Sequence, residues 1–428
     1  MLLFASLIRG ANRPIPLMLL ELSSLFLFAS YYFNNKSHLF SRNEFIFIAS
    51  LFLVPFLYLI PIPFEWWNSF PGMALYGDIL KTLDNDGGHS IALYQGVSLY
   101  ASLALLPPLA VFLIVTSLPQ KTIKRLCFLL IGIAVLQSIL ALIQFAQGPD
   151  SIFRFGMVGH PHSGLGTFPN RNHLAGFLEM VFPLALIFLF LYFLRGHRNQ
   201  KSRRSFSYFF NAKNLLMFSI VVIILLGLIF SRSRTGLALL MIGVVLVALF
   251  LWRLLDSFSV NKLAIVSALM VVTLAAEIGL APVLERFTQQ DPLSDLRWII
   301  NAGTWEGIKT FFPFGAGPGS YPYIYPRFQS EEITAFVNHA HNDYLEWLFE
   351  IGIFGLCFII MGFWLFFNRW RELFREANSN NFIFIQTGAG IGIILILLHS
   401  LVDFNLRIPA NAIYFAFLAG IFFHRSRN

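Results

Sequence analysis

The chain of 428 residues predicts an all-α polytopic membrane protein with about 11–12 transmembrane helices, and three observations carry that reading. The composition is 57% hydrophobic and 12% charged, with a mean hydropathy of +0.69, whereas soluble domains carry about 25% charged residues. Apolar residues fall in runs of about 18–23, the length a helix needs to cross a bilayer. Lysines and arginines of the short connections fall on alternate connections, as the positive-inside rule requires.

Eleven spans are predicted: 15–33, 44–62, 97–118, 126–147, 173–194, 215–230, 236–252, 263–282, 345–367, 382–402 and 408–423. Ahead of them, Met1–Ile8 is apolar but too short to cross, and no small-residue cleavage site follows it, so it does not read as a signal peptide. It reads as the tail of a further span or as a packed half-helix; counting it gives twelve spans with both ends inside.

The segment Arg195–Lys213, with six basic residues, is expected to be cytoplasmic. Alternating outward from it, the same side receives Lys36/Arg42, Lys121/Lys124/Arg125, Arg253/Lys262, Arg369/Arg371/Arg375 and Arg425/Arg427, in all 18 of the 30 basic residues. The N-terminus then falls outside and carries Arg9 and Arg13 against the rule. The outer side holds 63–95, 148–172, the tight turn 231–236, the long loop 283–344 and 403–407.

Several function classes are excluded or weakened. Cys127 and Cys357 both lie in apolar runs, so neither a disulfide framework nor Cys/His zinc spacing exists. The Gly-rich stretch Pro313–Gly319 lacks the Gly-Lys-Ser/Thr of a P-loop. A net charge of +8 in a membrane chain reflects loop charge, and no nucleic-acid partner is expected. The partners expected instead are membrane lipids, and no cofactor motif stands anywhere in the chain.

Titratable chemistry concentrates on the outer side. Asn338–Glu346 places His339, His341, Asn342, Asp343 and Glu346 where the long loop meets an apolar span, and His341 is the candidate general base. Gly166–His173 offers Asn170, Arg171 and Asn172, with Asn172 also suited to cap the helix that follows. Ser231–Gly236 wedges Arg232 and Arg234 between two apolar runs, where guanidiniums are costly and usually mark a site; both could instead snorkel to headgroups, a reading that suits Arg232 better than Arg234. In the long loop, Arg297, Trp305 and Pro313 are spaced as an amphipathic helix closed by a Gly/Pro turn, and Arg297 is a second candidate phosphate ligand. His399 and Asp403, four apart, suit a mutual bond on one helix face or support of the site from behind.

These residues resemble the O-antigen ligase / O-antigen polymerase superfamily of bacterial membrane glycan transferases. The ligase pattern His-[Asn/Ser/Gln]-x9-Gly-x-x-[Gly/Thr/Tyr] is met by His341, Asn342, Gly352 and Gly355. Gly166, Thr167, Phe168, Asn170 and Asn172 meet a second element, and Ser233, Arg234 and Gly236 a third. Arg297, Trp305, Pro313, Gly315 and Gly317 meet the fourth, in the family's order. The resemblance covers about residues 95–423, with an O-antigen ligase-related core near 163–365 inside a single integral domain of residues 1–428.

The resemblance implies a GT-C-like helical fold in the bacterial inner membrane, with the active site facing the periplasm. The implied donor is a glycan on undecaprenyl diphosphate, used without metal or nucleotide sugar. His341 would deprotonate the acceptor hydroxyl, while Arg234 and Arg297 would bind the donor diphosphate. Arg232, Asn170, Arg171, Asn172, His339, Asn342, Asp343 and Glu346 would support them. The acceptor is either lipid A–core, for a ligase, or a second lipid-linked glycan, for a polymerase, and the His399–Asp403–Arg407 segment resembles exopolysaccharide-type members. A small-anion transporter is the rival from another class; it would place charge near the bilayer middle.

Overall fold

In the computed structural model the described residues are 1–34, 40–83, 89–157, 162–198, 211–254, 296–375 and 382–425. Twelve helices organise them: α1 Pro14–Asn34, α2 Arg42–Leu57, α3 Gln95–Leu103, α4 Leu106–Ser117, α5 Gln120–Gln147, α6 Arg171–Arg198, α7 Ala212–Phe230, α8 Arg234–Leu254, α9 Leu296–Phe311, α10 Asp343–Arg375, α11 Phe382–His399 and α12 Pro409–Phe422. Shorter helices at Leu2–Ala5, Phe64–Asn68, Ala74–Thr82 and Tyr321–Ile324, single 3-10 turns and a two-residue ladder, Pro61–Ile62 against His89–Ser90, lie between them.

Among the described residues, eight helical segments are long and apolar enough to cross a membrane: α1, the α3–α4 pair, α5, α6, α7, α8, α10 and α11. The chain is a multi-pass helical membrane protein. Predicted span 263–282 and the start of the 283–344 loop lie outside the described residues. The other two expected spans are shorter than predicted. Helix α2 has 16 residues and ends where Tyr58 turns inward, its hydroxyl donating to the carbonyls of Phe314 (2.6 Å) and Ile351 (3.2 Å). Helix α12 has 14 residues, about 21 Å at the rise of a helix, against about 30 Å of hydrocarbon. It is packed between α4 and α11 and buried along most of its length.

The bundle is built around α6 and α11, whose apolar stretches are 83% and 78% buried, against 17% for α1. Helix α6 packs on α5, α7, α8 and α11. Close approach of α6 and α11 depends on Gly392, where a Cβ would collide with the Met180 carbonyl. The Met1–Ile8 piece folds back into the bundle: Leu2 and Ala5 are buried, the Tyr414 hydroxyl donates to the Leu2 carbonyl, and Thr167 bonds the Ser6 carbonyl. Leu2–Ala5 is one turn of helix packed against α5 and α12.

Charge separates to the two ends of the bundle. At one end Arg425 holds Glu44 (2.6 and 2.9 Å) and Glu372 (3.0 Å), and Arg369 holds Glu372 (2.9 Å). These belong to the connections read as cytoplasmic. The opposite end gathers the first turns of α6, α8 and α10, the end of α11 and the turn 403–407.

A candidate active site at one end of the bundle

The segment that delivers His341 is fixed by its own sequence. Asn342 is the N-cap of α10: its side-chain oxygen accepts from the backbone N–H of Tyr344 (3.0 Å) and Leu345 (3.1 Å), and its amide donates to the Leu401 carbonyl (3.0 Å). The chain must turn sharply into this cap, and His341 takes the left-handed conformation, φ +53°. Such a backbone is uncommon outside glycine and concentrates at functional positions. Arg232, also singled out from the sequence, has φ +54°.

Behind His341 stands Asp403, which is fully buried. Its Oδ1 lies 3.3 Å from His341 Nδ1. Its Oδ2 accepts from the Asn172 amide at 2.5 Å and faces the Arg297 guanidinium at 3.5 Å. One carboxylate thus ties together the first turn of α6, the start of α9 and the His341 segment. Burial alone would raise the Asp403 carboxyl, but the close approach of His341 and the charges of His173 and Arg297 outweigh it and hold the group well below the usual carboxylate range.

His339 does not face the same carboxylate. Its Nδ1 bonds Glu346 Oε1 at 2.9 Å, and Glu346 Oε2 accepts from the Ala340 N–H at 2.8 Å. Burial would lower His339, but the Glu346 charge more than offsets it and raises the group. Asp343 Oδ2 accepts from the Ser400 hydroxyl (2.7 Å) and the Leu406 N–H (3.1 Å), which locks α10 to the 400–406 turn. Phe404 fills the space between, with the His339 ring stacked on it at 4.3 Å and the rings of His341 and His173 edge-on at 4.9 and 4.8 Å.

The other expected site residues converge unequally. Asn170 caps α6, its side chain accepting from the Asn172 N–H at 3.1 Å. The cap is therefore Asn170 and not Asn172, because the helix begins one residue before Asn172; Asn172 is freed to bind Asp403. Arg171 opens α6, half-buried. Arg234 opens α8 in a turn capped by Ser233, whose hydroxyl accepts from the Gly236 N–H at 3.2 Å. That turn abuts α6, since a Cβ on Gly236 would lie 2.6 Å from Ala175, one turn beyond Asn172. Arg232 points elsewhere, over the Phe145 ring at 5.2 Å.

The glycine motifs turn out to be scaffolding. Gln137 and Gln144 of α5 grip residues 165–167, Gln144 donating to the Gly166 carbonyl at 2.7 Å and Gln137 accepting from the Thr167 N–H at 2.9 Å. Helix α10 breaks at Gly352, φ +49°. The break exposes the carbonyls of Phe349 and Glu350, which accept from the N–H groups of Ala316 (3.0 Å) and Gly317 (2.8 Å), while Ile353 donates to the Pro313 carbonyl (2.8 Å). The Gly/Pro turn is thereby fastened to the helix that carries the site.

Two residues at the site were not expected to be central. Asp403 and His399 do not share a helix, because α11 ends at His399; the His399 ring instead pairs with Glu179 of α6 at 2.9 Å. Arg407 pairs with Glu346 (3.3 Å) and Glu350 (2.8 Å), and these carboxylates outweigh its burial and raise it further. The sequence offers Asp403 as support of the site from behind and singles out the His399–Asp403–Arg407 segment, but not the contacts of Arg407 with Glu346 and Glu350.

Chemically, the site offers a histidine oriented by a buried carboxylate and arginines on neighbouring helix ends, a set suited to moving a proton beside an anionic group. Among the described residues, no group of three or more His, Cys, Asp or Glu is arranged to hold a metal ion.

Residues 219–360 match the family described as O-Antigen ligase. The segment is similar to that family. It runs from within α7 through the Arg234 turn, α8, α9 and the His341 segment into α10, so Arg234, Arg297 and His341 all lie inside it. Asn172, Asp403 and Arg407 lie outside the matched residues and reach them through the contacts above. The family implies a membrane enzyme of the glycan ligase or polymerase type, working on lipid-linked glycans. No curated protein matches the chain.

Proposed function

We propose that the protein transfers a glycan from undecaprenyl diphosphate to an acceptor hydroxyl at the periplasmic face of the bacterial inner membrane, as an O-antigen ligase-type enzyme acting on lipid A–core. The observation that carries the reading is the approach of His341 Nδ1 to the buried Asp403 carboxylate, with His341 inside the segment that matches this family. With Nδ1 turned to Asp403, Nε2 is the nitrogen that takes the acceptor proton. The acceptor oxygen then forms a bond to the anomeric carbon as the bond from that carbon to the diphosphate oxygen breaks. The electron pair leaves on undecaprenyl diphosphate, and the guanidiniums of Arg234 and Arg297 stabilise the charge gathering there. No metal or cofactor is assigned a step.

Polymerisation, with a second lipid-linked glycan as acceptor, uses the same groups and is the second reading, favoured by the His399–Asp403–Arg407 segment. Small-anion transport fits less well. Arg171, His173, Arg234, Asp343 and Glu346 all stand in the first turns of α6, α8 and α10, at one end of the bundle rather than at its middle.

The test is purified protein with a defined undecaprenyl-diphosphate-linked repeat in the presence of EDTA, products being separated by size. Product only on addition of lipid A–core is the expected result. A ladder from donor alone would assign the polymerase reading, and no transfer under either condition would contradict both.

A further inference from the structure

The turn Asp403–Arg407 grips the His341 segment at two points. Asp403 faces His341 itself, and Arg407, four residues on, reaches Glu346 at 3.3 Å and Glu350 at 2.8 Å. The two glutamates lie one turn apart on α10, and both are buried. Glu346 in turn holds the two residues immediately before His341, through His339 Nδ1 (2.9 Å) and the Ala340 N–H (2.8 Å). Glu350 also receives the Tyr321 N–H at 3.4 Å. The left-handed backbone of His341 is thus the end of a chain of contacts that begins at Arg407.

Like charges four apart on a helix repel, and in a buried site two carboxylates do not both ionise without a cation between them. Arg407 is that cation. From this geometry we infer that Arg407 is a positioning residue: by neutralising Glu350 it leaves Glu346 free to act as a carboxylate, and Glu346 then pins His339 and Ala340 so that His341 meets Asp403 in one orientation. Arg407 touches no reacting atom in this scheme. Its removal displaces the base rather than deleting it, and a displacement of about 1 Å costs on the order of 10²-fold in rate.

The inference rests on the reading of His341 as the base, so the experiment separates the two. Full-length wild type, His341→Ala, Arg407→Met, Arg407→Lys, Glu350→Gln and the pair Arg407→Met/Glu350→Gln are reconstituted and assayed with the lipid-linked donor and acceptor. For Arg407→Met the expected result is kcat lowered on the order of 10²-fold, with KM within about threefold of wild type. Adding Glu350→Gln removes the competing carboxylate and is expected to recover at least tenfold of that loss, whereas a residue that only held the fold together would make the pair worse than either single change. Should Arg407→Met not fold, Arg407→Lys, which keeps the charge but not the fork, is expected to lose about tenfold in kcat at unchanged KM. Wild-type kcat in either Arg407 variant, or a pair no better than Arg407→Met, overturns the inference. Full activity in His341→Ala would instead overturn the reading beneath it.

Discussion

Asp403 Oδ1 stands 3.3 Å from His341 Nδ1, on a carboxylate with no solvent exposure that also accepts from Asn172 and faces Arg297. A carboxylate in that position fixes which ring nitrogen carries the proton and how the ring is turned. Asp403→Asn keeps the size but not the charge. It is expected to lower kcat by about 10² or more while leaving KM nearly unchanged, as for an interaction that matters only as the base takes up its proton. Steady-state kinetics with donor and acceptor varied separately check this; an unchanged kcat would remove Asp403 from the account.

Arg297 is assigned to the donor diphosphate for its planar fork as much as for its charge. Arg297→Lys keeps the charge and loses the paired donors. The expected outcome is a clear loss in kcat/KM, about tenfold or more, equivalent to roughly 1.4 kcal/mol of transition-state stabilisation. Equal activity in the lysine variant would argue that a point charge suffices and that no diphosphate is clamped there.

Protonated His339 is favoured by Glu346, so its folded-state affinity for the proton exceeds that of the unfolded chain. The sign follows. The contribution is fully present below the unfolded value, about 6.5, and is lost as pH rises through the higher folded value. Thermal unfolding in detergent is expected to show wild type more stable than His339→Gln near pH 6, with the difference shrinking at higher pH. A difference that grows with pH would reverse the assignment.

Much of this arrangement is legible in the sequence, and the remainder hides for physical reasons. Run length and the placement of Lys and Arg find the spans, because the bilayer imposes one length on any helix that crosses it. They overestimate α12, whose apolar residues face protein, and α2, which stops where Tyr58 turns inward; composition alone does not distinguish burial in protein from exposure to lipid. The His341, Arg234 and Arg297 stretches stand out because polar groups at a membrane boundary are conspicuous. The spacing of His399 and Asp403 leaves open a mutual bond or support of the site from behind; α11 stops at His399, that ring turns across to Glu179, and Asp403 backs His341. The partnership of His341 with Asp403 spans 62 residues of chain, and no local periodicity reports a contact of that range. The contacts of Arg407 with Glu346 and Glu350 span a similar length of chain and escape local periodicity in the same way.

The α6–α11 contact supports the site from below. At Gly392 a Cβ would meet the Met180 carbonyl, which is backbone and cannot swing aside. Gly392→Val is expected to destabilise the protein by about 1–3 kcal/mol, read as a lower unfolding midpoint in detergent. A surface change on α1, such as Phe26→Leu, which is exposed, should leave the midpoint within error. An unshifted midpoint for Gly392→Val would contradict the close approach of these two helices.

The central claim is that His341 is the base of a glycan transfer, and single-turnover transfer by His341→Ala tests it most directly. Protein is reconstituted in vesicles, preloaded with the lipid-linked donor and mixed with acceptor; insertion is checked by gel filtration and donor binding by co-purification. The account predicts that the variant folds, binds donor as the wild type does, and loses transfer by about 10² or more. Transfer at the wild-type rate with donor bound would contradict it.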